Sequence, residues 1–71
     1  MMKFEKGQVY TGSDSNIFVK GAYGSMVRFI EGCSPAAIHD MQEIPADNLE
    51  AYMNKWGFER VDPELEAFLN A

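Results

Sequence analysis

Apolar side chains crowd the stretch Ile17–Glu31, Ile-Phe-Val-Lys-Gly-Ala-Tyr-Gly-Ser-Met-Val-Arg-Phe-Ile-Glu. Two runs rich in β-branched and aromatic residues, Ile17–Lys20 and Ser25–Glu31, flank Gly21-Ala22-Tyr23-Gly24, and this pattern predicts a β-hairpin. With the turn centred on Ala22-Tyr23, Lys20 opposes Ser25, Val19 opposes Met26 and Phe18 opposes Val27. One face of the hairpin then carries Ile17, Val19, Met26, Arg28 and Ile30. The other carries Phe18, Lys20, Ser25, Val27, Phe29 and Glu31. A strand pair with one wet face alternates apolar with polar residues, and this one largely does not. Both faces therefore need cover.

The rest of the pattern is read outward from the hairpin. Phe4 to Thr11 has strand character, with Gly7 as a bend or bulge, and Gly12-Ser13-Asp14-Ser15-Asn16 is a turn cluster. Gly32-Cys33-Ser34-Pro35 ends the hairpin's second strand. Residues 36–44 allow a short helix begun by Ser34-Pro35, or a fourth strand over Ala37–Ile44 that pairs back on Ser25–Glu31. The strand is preferred, because Pro45 pushes its predecessor to extended backbone and would stop a helix at once.

A helix follows over Asn48–Trp56, with Asp47 as N-cap, Glu50 completing a capping box, and Leu49, Tyr52, Met53 and Trp56 as one apolar stripe. Gly57 stands where a left-handed residue closes a helix, with Phe58 folding back on the last turn. Asp62-Pro63-Glu64 starts a last helix over Glu64–Asn70, whose stripe is Leu65, Phe68 and Leu69. The expected fold is α+β: a three- to four-stranded antiparallel sheet packed with a C-terminal helix pair, the strand order also allowing a partial SH3-like barrel. Because the helix stripes amount to one sheet's worth of contact, the pair is expected on one face. The other face is left for closure, a homodimer or a partner.

At 71 residues the chain is expected to form a single domain, residues 1–71, in which each large side chain counts. One cysteine, Cys33, forms no internal disulfide, and the start Met-Met-Lys-Phe-Glu-Lys-Gly-Gln lacks the apolar segment of a secretory signal. A cytoplasmic protein outside the membrane is the expectation. Charge is lopsided: residues 1–30 hold four basic and two acidic residues, net +2, whereas residues 31–71 hold two basic and nine acidic, net −7.

Candidate chemistry is sparse. Cys33, His39 and Asp40 are the only trio resembling a nucleophile, base and orienter, but adjacent His39 and Asp40 point to opposite faces of a strand. One Cys and one His are too few soft ligands for zinc, and Asp14-Ser15-Asn16 lacks the glycine and distal glutamate of a calcium loop. No catalytic residue, metal or cofactor is expected. Six basic residues make a poor nucleic-acid surface, although Phe18, Tyr23 and Phe29 could stack bases on a small barrel. The pattern favours a small acidic interaction protein, regulatory or inhibitory, that binds a basic surface on another protein, such as one in a nucleic-acid-processing complex. The candidate contact residues are Tyr23, Arg28 and Phe18 on the hairpin, with Asp40 and Glu43 as acids for the basic partner.

Overall fold

A computed structural model describes residues 2–71. Five antiparallel strands form one open sheet in the order β4-β3-β2-β1-β5, with two helices. The strands are β1 (Val9–Thr11), β2 (Asn16–Tyr23), β3 (Met26–Gly32), β4 (Met41–Pro45) and β5 (Glu59–Arg60). Helix α1 spans Ala46–Trp56 and α2 spans Pro63–Leu69. The expected α+β class holds, but the sheet has five strands rather than three or four, because Glu59-Arg60 adds a short strand beside β1. The barrel does not hold, because β4 and β5 end on opposite edges of the sheet.

Local signals account for the strand boundaries. Phe4 lies outside β1, buried against it, because the chain bends at Gly7, whose φ of 99° suits glycine. The hairpin turn is Gly24-Ser25 rather than Ala22-Tyr23, with Tyr23 opposite Met26. Gly24 has a φ of 60° and Ser25 has no positive φ, the arrangement of a type II′ turn. Farther along, the register slips between Val19 and Gly21, so that Lys20 is an extra residue and Val19 faces Phe29. Moving the turn by two residues would have kept the expected faces. The bulge is what exchanges them.

The two faces are therefore composed differently from expectation. Tyr10, Ile17, Val19, Val27 and Phe29 line one face, where Leu49 and Met53 of α1 and the side chain of Phe4 complete a core. Val9, Phe18 and Ile30 line the other, packed against Ala37, Val61 and Leu69. Each helix covers its own face, instead of both sharing one. The first half of the expected Ala37–Ile44 strand is a 3-10 turn, Ile38–Asp40. Its second half is β4, which pairs with β3 from Met26↔Pro45 to Ile30↔Met41.

Helix α1 starts two residues early. Pro45 occupies the N-cap without a side-chain bond, Asp47 lies inside the first turn, and Glu50 accepts instead from the Met2 N–H at 2.8 Å. The end is as expected: Gly57 has a φ of 71°, and Phe58 stacks on Tyr52 with ring centroids 5.9 Å apart. Asp62 caps α2, accepting from Leu65 N–H at 3.0 Å ahead of Pro63.

Trp56 departs from its expected place in the core, being 58% exposed; Leu65 and Phe68 are exposed as well. With the stripe stopping at Met53, Trp56→Ala should lower stability by no more than about 1 kcal/mol, as surface changes do. A urea midpoint shifted as far as that of a core truncation would place the indole inside after all.

Candidate functional site

Toward the hairpin turn, the α2-side face of β3 and β4 is exposed at Tyr23, Arg28 and Glu43, whereas Ile30 farther along β3 is buried in the cluster that Ala37 and Leu69 help to close. Helix α2 sits over the β1–β2 side, where Leu69 meets the cluster of Val9, Phe18 and Ile30. Register places Gly21, Arg28 and Glu43 in one row across β2, β3 and β4, with Tyr23, Met26 and Pro45 in the next. Arg28 donates to the Glu43 carboxylate at 3.2 Å and its guanidinium lies 5.3 Å from the centre of the Tyr23 ring. The Tyr23 phenol is held above its ordinary value by desolvation and then by the Glu43 carboxylate, with Arg28 opposing. Tyr23 and Met41 are exposed apolar side chains on this side.

The free edge of β4 borders this patch. Ala46 N–H points inward, to the Ser25 carbonyl at 2.7 Å. By the alternation of an antiparallel ladder, the N–H and C=O groups of Met41 and Glu43 point outward, and Pro45 spends no donor there. An extended segment could add to this edge, with Tyr23 and Arg28 beside it.

Three of the expected contact residues, Tyr23, Arg28 and Glu43, thus come together. Phe18 does not join them: it is 1% exposed, and the bulged register turns it into the core under α2. Asp40 is exposed beside His39, at the far end of β4 from Tyr23. Cys33 is exposed and free. Among the described residues no group of three His, Cys, Asp or Glu side chains could hold a metal ion. Nor, among the described residues, is any helix long and apolar enough to cross a membrane.

Two polar clusters escaped the sequence reading. At the α2 end, Glu66 is buried, accepts from Val9 N–H at 2.9 Å and binds Arg60 through Nε at 2.7 Å and Nη2 at 3.0 Å. These bonds, Arg60 foremost, hold the Glu66 carboxyl below its ordinary range against the opposing effect of burial, and they raise the Arg60 guanidinium. Nothing in the pattern marked Glu66 as an inward residue, since it looked like an acid placed for the helix dipole.

On the α1 side of the sheet, the Glu31 carboxylate accepts from Tyr52 Oη at 2.9 Å and Ser15 Oγ at 2.9 Å. The Tyr52 phenol is raised, first by that bond and then by desolvation. Gly12 anchors the adjoining loop: a Cβ added there would lie 2.8 Å from the Phe58 ring. No family model, curated protein or solved structure matches this chain.

Proposed function

We propose that this chain is a small acidic interaction protein that acts by docking on another protein and occupying its surface. The observation that carries the reading is the exposed hairpin end of β3 and β4, where Tyr23, Arg28 and Glu43 adjoin the open edge of β4. Tyrosine and arginine are the residue types that anchor protein interfaces, and an edge strand supplies main-chain donors and acceptors to a partner. The net charge of −5 favours a partner with a basic surface and gives association a salt dependence. Inhibition of a nucleic-acid-processing complex is one form such binding takes, since the basic groove of such a complex attracts acids.

The test compares partner capture from the protein's native cells by the wild type, Tyr23→Ala and Arg28→Glu, with captured proteins identified by mass. Both changes should reduce recovery of the same partner while the circular dichroism stays that of the wild type. Undiminished recovery by both variants would remove the interface from this face. Tight oligonucleotide binding with a steep salt slope, and no protein recovered, would replace the reading by a nucleic-acid one.

A further inference from the structure

We propose that the cavity between Trp56 and Glu31 receives the guanidinium of an arginine from a basic segment of the partner, a proposal that rests on the protein-docking reading above. The cavity measures about 110 Å³, ample for a guanidinium head, and the aromatic residues Tyr52, Trp56 and Phe58 line it together with the acidic residues Asp14 and Glu31. An aromatic wall with an acid beside it is the environment in which a planar, weakly hydrated cation is stabilised, by stacking on the ring and by charge-assisted hydrogen bonds. The residues come from three elements: Asp14 from the β1–β2 loop, Glu31 from β3, and Tyr52 and Trp56 from α1.

Glu31 strengthens the case. Its oxygens are held by two neutral hydroxyls, Tyr52 and Ser15, and no cation pairs with it among the described residues. Part-buried and held by those two hydroxyls, the carboxylate is oriented to accept a further, charge-assisted hydrogen bond. A second, wider hollow shares Ser15 and Glu31 and continues past His39 and Asp40 to Gln42. The two together make a groove with three carboxylates, Asp14, Glu31 and Asp40, and no lysine or arginine in its lining. Trp56 already attracts a cation of its own chain, the exposed Lys55, whose Nζ lies 5.4 Å from the ring centre.

Trp56 is the only tryptophan, so intrinsic fluorescence reports from the cavity itself. The probe is an acetylated, amidated Gly-Arg-Gly-Arg-Gly peptide, set against the same peptide with citrulline, which keeps the shape and lacks the charge. The arginine peptide should change Trp56 emission saturably and the citrulline peptide should not. Glu31→Gln should weaken binding roughly tenfold, the scale of one hydrogen bond to a charged group. Asp14→Asn, whose side chain makes no hydrogen bond among the described residues, should weaken it less and serves as the variant if Glu31→Gln unfolds. Glu64→Gln, on the outer side of α2, should leave it unchanged.

A non-saturating response overturns the proposal. So does a Glu64→Gln effect as large as that of Glu31→Gln, or spermidine binding as tightly as the peptide. Failure here leaves partner capture through Tyr23 and Arg28 untouched, so the groove and the wider docking reading fall separately.

Discussion

Phe18→Ala is expected to lower stability by about 3–5 kcal/mol, the range for truncating a buried aromatic. Phe18 is 1% exposed in β2, a central strand of the sheet, with β1 and β3 on either side. Among the described residues, the core on its face has two other buried members, Val9 and Ile30, closed over by Ala37, Val61 and Leu69. A cluster this small refills the space poorly, so the cavity term adds to the lost burial. Against a total of about 5–10 kcal/mol for a domain of this size, the loss removes a large part of the folded reserve. Urea denaturation should show it as a lower midpoint with an unchanged slope. Phe18→Leu should recover most of the loss, because it restores volume. A Phe18→Ala midpoint equal to that of the wild type would mean that the ring does not belong to this core, and would return it to the candidate contact surface.

Replacing Glu66 has the next largest expected effect, about 1–3 kcal/mol for Glu66→Ala. The cost comes chiefly from Val9, whose buried N–H then has no acceptor. Arg60 is half exposed and recovers water in exchange. Losing the clasp also loosens α2, the lid on Val9, Phe18 and Ile30.

The same group gives the stability a pH dependence of known sign. Its carboxyl titrates lower in the folded chain than in the unfolded one. Its ionic contribution is complete above the ordinary glutamate value of about 4.3 and disappears as the pH falls through the lower, folded value. Glu66→Gln keeps an acceptor for Val9 and cannot ionise. Its stability should therefore fall less steeply on acidification than that of the wild type below about pH 5. Parallel curves for the two proteins would show that the ion pair with Arg60 contributes nothing measurable.

Of the candidate surface, the sequence alone showed the hairpin, its unusually apolar faces and the residues Tyr23, Arg28 and Glu43. It could not show Phe18 leaving that set, nor the meeting of Asp14, Glu31, Tyr52 and Trp56 around one cavity. Those four come from a loop, a strand and a helix, and no spacing rule links positions so far apart in the chain.

What the sequence by itself determined are the features decided within a few residues. The bend at Gly7, the αL end of α1 at Gly57 with Phe58 stacked on Tyr52, and the Asp62-Pro63 start of α2 each rest on local backbone conformation or a nearby cap. The fold's assignment of faces was decided only by tertiary structure. One extra residue at Lys20 turns Val19 toward Phe29 and Phe18 toward Ile30, and alternation with a period of two carries that change through the adjoining strands. Pairing of Glu59-Arg60 with β1 then carries the chain past the sheet's far edge, so that α2 returns over the face opposite α1. Burial of two apolar faces needed one helix on each, and that demand outweighed the helices' own stripes: Glu66 went inward to satisfy Val9, while Leu65, Phe68 and Trp56 stayed in water.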